Sequence, residues 1–267
     1  MLHNPFDYLQ YDFGVKGVLS ALLAGITCSA LGTSIVLRKM AFAGAGISHV
    51  AFAGVALGFL LGISPIFSAL LLSLLVSVVL WYFQVKKGLH FDVTMGVLFS
   101  ASMGLAVIAL SLSGAYGSQA LSYLFGSPLL VSGIDIAMLL LSFIAVSLFF
   151  SFFWRDIYLV TFSSEIAKAS GYKVELITFL LNFLVGAVVA LSIKAVGALL
   201  VFSLLVVPSA AAYRVSKSYG RFFFLSVFFG IVSSLGGIFL SFALDAPSGA
   251  TITVVSFLLF LLTSILG

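Results

Sequence analysis

His49 is the one histidine of three that sits inside an apolar stretch. Imidazole is a good ligand for zinc and other divalent transition metals. An ionisable group in such a stretch is a functional candidate, because it is expensive in lipid unless it faces a bundle interior. The structural alternative is a hydrogen bond to a neighbouring helix. One imidazole does not make a metal site, so partners are needed. Asp245, in Leu244-Asp245-Ala246-Pro247-Ser248-Gly249, is either the cap of the helix after the proline turn or a carboxylate that attracts or ligates a cation. Lys194 reads as a residue snorkelling from a helix end, since its charge would repel a cation.

Several chemistries are excluded. The chain has no G-x-x-x-x-G-K-[ST] phosphate loop, so it does not hydrolyse nucleotide itself, and it has no H-E-x-x-H or G-x-S-x-G motif. Adjacent Ser48 and His49 point about 100° apart on a helix and cannot form a nucleophile–base pair within one chain, which leaves an intramembrane enzyme as a remote alternative. Carboxylates are nearly missing from the apolar runs, against a proton-driven transporter built on Asp/Glu relays.

The elements that must carry these residues are membrane helices. Gly17 to Leu37, Met40 to Val85 and Val93 to Ile134 contain no Asp, Glu, Lys or Arg. A hydrocarbon core of about 30 Å needs about 20 apolar residues per helix. With 63% hydrophobic and 7% charged residues, the chain has too much apolar surface to hide in water. The charge breaks predict nine spans, at about 15–37, 47–62, 66–84, 93–113, 133–153, 176–193, 195–213, 222–243 and 250–266. Continuous runs, rather than alternation over about 10 residues, argue against a β-barrel. The expectation is an all-α polytopic protein, one transmembrane domain over 1–267. Nine spans do not divide into the equal halves of an inverted-repeat transporter.

If the first helix enters from outside, ten of twelve Lys and Arg fall on the inner side and only Lys16 and Lys194 outside. The positive-inside rule then places the N-terminus outside and the C-terminus in the cytoplasm. The net charge of +4 is a topology signal scattered over four loops, not a nucleic-acid patch. Cys28 is the single cysteine and forms no intramolecular disulfide. Residues 1–14 lack a basic start, so the first helix is expected to stay uncleaved.

Two loops and one helix stand out. At about 155–175, Ser163 caps a short amphipathic helix, Glu165 suits its first turn and Gly171 can end it. The outer loop from Ser113 to Gly133 is uncharged and carries Tyr116, Tyr123 and Phe125, rings suited to the interface. Around Ser48 and His49, small residues including Gly54 and Gly58 predict a closely packed central helix. Pro208 and Gly236-Gly237 mark further close contacts or kinks.

Three stretches together resemble one permease family. Ser48-His49 with Gly54-Val55-Ala56-Leu57-Gly58 is similar to its histidine-bearing helix. Val196-Gly197-Ala198-Leu199-Leu200-Val201, leading to Pro208, and Asp245-Ala246-Pro247-Ser248-Gly249-Ala250-Thr251 follow in the family's order and spacing. The family is the membrane subunit of ABC importers for zinc, manganese and iron(II). The resemblance implies a homodimer in a prokaryotic plasma membrane, a cytoplasmic ABC ATPase that holds the ATP, and an extracytoplasmic metal-binding protein. It implies a transported divalent metal and no permanent cofactor. Phe162 to Gly171 resembles the family's coupling helix, with Glu165, Ala167 and Gly171 matching its pattern. Many members carry an aspartate four residues before the histidine, on the same helix face. Here Ala45 stands there, so His49 works with the dimer mate, Asp245 or backbone carbonyls, or only lines the path. Loss of the oxygen ligand favours zinc over manganese. A permease for a metal chelate, such as a siderophore or cobalamin, is the rival within this class.

Overall fold

The computed structural model describes residues 7–114, 118–127 and 130–266. Among the described residues a 3-10 turn at Asp7–Gln10 is followed by eleven α-helices. They are α1 Asp12–Leu37, α2 Phe42–Leu61, α3 Pro65–Lys86, α4 Phe91–Ser113, α5 Ser118–Phe125, α6 Gly133–Phe162, α7 Ser164–Ala169, α8 Val174–Val196, α9 Ala198–Val215, α10 Tyr219–Leu244 and α11 Ser248–Leu266. No strand occurs among the described residues. Among the described residues eight helices, not nine, are long and apolar enough to cross a membrane; α9 is apolar but falls short of that length.

The helix ends differ from the charge-based expectation in two instructive places. Helix α2 starts at Phe42, so the Gly44–Gly46 stretch is helical rather than a loop. Helix α6 runs on to Phe162, past Arg155 and Asp156, through a local break at Phe153 (φ −109°, ψ 20°). Charges end an apolar run but not a helix, because the backbone hydrogen bonds of a helix are independent of side-chain polarity. Pro208 lies inside α9, which continues through it as one helix.

Helix α1 is the hub, packed against α6, α8, α9 and α10. Apart from Leu31 and Ile35 its buried positions are small or hydroxylated, which suits lipid, where close van der Waals contact and hydrogen bonds hold helices together. The Ser29 carbonyl accepts hydroxyl hydrogen bonds from Ser209 (3.1 Å) on α9 and Ser226 (2.8 Å) on α10. A Cβ on Gly32 would collide with the Leu205 carbonyl of α9. Helix α2 is gripped by α3, α4, α8 and α9. A Cβ on Gly54 would fall 2.5 Å from Ala69 Cα, and one on Gly58 2.7 Å from Pro65 Cα, so α2 and α3 meet backbone to backbone. Gly237 approaches Ile252 of α11 in the same way.

Arg38, Lys86, Lys168, Lys173 and Lys217 all belong to elements that gather at one end of the bundle, called here the basic end. At the opposite end, Lys194 does not snorkel freely: its Nζ lies 2.6 Å from Asp135 Oδ2. The outer loop contains α5, whose Tyr123 ring meets Phe59 of α2 at 5.9 Å, edge to face. Phe125 is exposed there, and Tyr116 lies outside the described residues.

Candidate functional site

His49 stands in the second turn of α2, on the side facing α4, with its ring 4.6 Å from that of Phe99. Its Nδ1 is 2.8 Å from the Ala45 carbonyl oxygen. A carbonyl only accepts, so Nδ1 carries the proton and the lone pair of Nε2 is left for another partner. This is the arrangement in which a metal-binding imidazole is usually oriented, one nitrogen tied to a carbonyl and the other free. Ala45 therefore contributes its backbone where the resemblance would place a carboxylate. The neighbouring Ser48 is fully buried and spends its hydroxyl on the Gly44 carbonyl at 2.7 Å, as part of helix packing.

Among the described residues no three of His, Cys, Asp and Glu gather around one point. Asp245 in particular is not brought to His49. It is the exposed C-cap of α10, in the left-handed conformation (φ 51°, ψ 44°), and does not cap α11. It lines a cavity of about 280 Å³ at the end opposite the basic one, with Tyr8, Gly126, Ser127 and Pro247. Helix α2 reaches that end near Phe59, ten residues and roughly 15 Å beyond His49. His49 and Asp245 thus occupy different depths of the bundle.

The polar segment at the basic end is a built structure. Ser163 accepts a hydrogen bond from the Ile166 N–H at 3.3 Å and starts α7. The helix closes when the Tyr172 N–H bonds the Ala167 carbonyl (3.0 Å) and the Gly171 N–H that of Lys168 (3.1 Å). This paired closure needs a left-handed residue, which Gly171 supplies at φ 81°. Glu165 and Gly171 are exposed, but Ala167 is 0% exposed. Its small side chain lets α7 sit tightly on its own chain. The apolar groups that do face outward are Ile166 (57% exposed) and Phe162 (74%). Sequence reasoning did not single out Ile166, although an isoleucine amid polar neighbours in a six-residue helix was a usable sign.

This segment is joined to the spans. Arg38 at the end of α1 donates to Thr178 Oγ1 at 3.2 Å, and Lys86 at the end of α3 pairs with Glu175 at 2.9 Å. The Trp81 indole donates to the Glu175 carbonyl at 3.0 Å. Arg38, Glu165, Lys168 and Glu175 share a recess of about 240 Å³. Burial pushes the Arg38 guanidinium down to about 10, which still leaves it charged at neutral pH. Helix α7 itself packs against α6 and α8, and α8 in turn carries the bonds to α1 and α3.

Residues 10–267 match the model of the ABC 3 transport family. The chain is 31% identical over 258 residues to the manganese transport system membrane protein MntC of Halalkalibacterium halodurans, covering 96% of this chain and 88% of that protein. It is 30% identical over 254 residues to the high-affinity zinc uptake system membrane protein ZnuB of Haemophilus influenzae, covering 95% and 97%. Its structure is similar to a chain of PsaBC from Streptococcus pneumoniae solved in complex with Fab. The TM-score is 0.84 at 29% identity, over 97% of this chain and 94% of that one.

Proposed function

Because the chain belongs to the ABC 3 transport family, we propose that it is the membrane permease of an ATP-driven importer of divalent transition-metal ions, zinc first and manganese next. The observation that carries this reading is the nearly end-to-end similarity to permeases named for zinc and for manganese. The protein itself is multi-pass in a prokaryotic plasma membrane.

In this reading the free Nε2 of His49 is one weak ligand on the path of the ion. A second copy of the chain supplies what one copy lacks, so the path runs between two permeases. Weak, incomplete ligation suits transport, since an ion must leave as readily as it enters. The preference for zinc rests on imidazole standing without a nearby carboxylate, manganese favouring oxygen ligands. The basic end is cytoplasmic by the positive-inside rule. There a separate ATPase binds ATP and grips Phe162 at the end of α6 and Glu165 and Ile166 of α7, while an external metal-binding protein delivers the ion at the Asp245 end. The reading is tested by total zinc, manganese and iron in metal-limited source cells with the chain intact, deleted or carrying His49→Ala. A selective fall in zinc or manganese on deletion, reproduced by His49→Ala, is the expected result. Unchanged content of all three metals on deletion, with no second importer active, would refute it.

A further inference from the structure

Helices α1, α6 and α10 enclose two adjoining cavities on the side of the bundle away from α2 and α4. The first is an apolar groove of about 330 Å³ along the spans, lined by Ile26, Ala30, Phe143, Ser147, Trp154 and Phe223, among others. On α6 it runs from Phe143 to Trp154, eleven residues or about 16 Å at 1.5 Å per residue. That is the hydrocarbon depth of one leaflet, half of about 30 Å. The second is a recess of about 310 Å³ one turn further towards the basic end, with Leu37 of α1, Tyr158 of α6, Tyr219 of α10 and Lys217 on its wall.

The two adjoin across a cluster of packed aromatic rings. Trp154 lies 5.0 Å from Tyr219 and 5.1 Å from Phe223, and Tyr158 lies 5.1 Å from Tyr219, measured between ring centres. The wall changes from apolar to aromatic to cationic in the order of a phospholipid's own parts. Lys217 is exposed, and Arg214 and Arg221 flank it within four residues. None of the three enters a salt bridge among the described residues, and no carboxylate lines the recess. Helix α10 begins at Tyr219, so its positive dipole end adds to the charge there. The Trp154 indole N–H has no acceptor among the described residues, whereas that of Trp81 is bound to Glu175.

We propose that this seam binds one anionic phospholipid, with an acyl chain in the groove between α1, α6 and α10 and its phosphate at Lys217. Aromatic rings at the boundary and basic pockets between helices on the cytoplasmic side are the chemistry by which such lipids are held. The site rests only on the chain spanning a membrane and stands apart from the ion path.

The chain has two tryptophans, so Trp81→Phe leaves Trp154 as the sole reporter inside the groove. The purified full chain is reconstituted in phosphatidylcholine vesicles containing a minor share of brominated phosphatidylglycerol or brominated phosphatidylcholine, and quenching is read. Brominated phosphatidylglycerol should quench Trp154 with an apparent affinity about fivefold higher per cation engaged. Lys217→Gln should erase most of that preference, and Ser147→Phe, filling the groove, should weaken quenching by both lipids. The Trp154→Phe protein, read through Trp81 at the same end of the bundle, should show no such preference. Equal quenching by the two lipids at Trp154 would overturn the proposal. So would the same preference at both tryptophans, which would mean general attraction to the basic end, and so would no quenching at all.

Discussion

Lys194 in the last turn of α8 and Asp135 in the first turn of α6 meet at 2.6 Å although 59 residues separate them. Their side chains are only 18% and 9% exposed. The same Asp135 carboxylate accepts from the Ser132 N–H at 2.7 Å and the Ser132 hydroxyl at 2.6 Å, so one group caps α6 and ties it to α8. Removing one partner of such a pair leaves an uncompensated charge and costs about 3–5 kcal/mol. Lys194→Met should therefore lower the thermal unfolding midpoint of the purified protein markedly. The double variant with Asp135→Asn should recover part of the loss.

Backbone approach across α1 gives a second, graded prediction. Gly32→Ala places a methyl on the Leu205 carbonyl, which is backbone and cannot swing aside. The expected cost is about 1–3 kcal/mol, as for overpacking elsewhere. Gly133→Ala meets nothing within 4 Å and should change stability by less than about 0.5 kcal/mol. Denaturation of the two variants side by side in one detergent checks the contrast.

The proposed docking of an ATPase at α7 divides its residues into two kinds. Ile166→Asp removes an exposed apolar contact and should weaken co-purification of the ATPase about ten- to a hundredfold, the value of burying one such side chain. The permease should keep its unfolding midpoint. Ala167→Leu forces bulk between α7 and its own chain, so it should lower the midpoint as well as binding. Glu165→Arg should lower ATPase binding without affecting the fold, because Glu165 is exposed.

The spans were legible because lipid imposes one dominant rule: Gly17 to Leu37 or Val93 to Ser113 can only be helices in a hydrocarbon core. The α7 turn was legible for a local reason, since Ser163 and Gly171 are the residues its two ends require. Pairings set by tertiary structure were not. Nothing in the neighbourhood of Lys194 announces Asp135, and Ala167 looks the same in sequence whether it faces its own chain or a partner. Asp245 looked like an N-cap of α11 because Pro247 follows it, but the chain uses it to end α10 in the left-handed conformation. His49 was identifiable by type alone, whereas the tie from Nδ1 to Ala45 that frees Nε2 needed coordinates.

The central claim is that free divalent metal ions cross the membrane past His49. The direct test is ATP-driven uptake of radioactive zinc and manganese by proteoliposomes holding the permease with its ATPase and binding protein. The account predicts saturable uptake of at least one ion, lost in His49→Ala while ATP hydrolysis persists. Uptake of neither ion, or full uptake by His49→Ala, would contradict it.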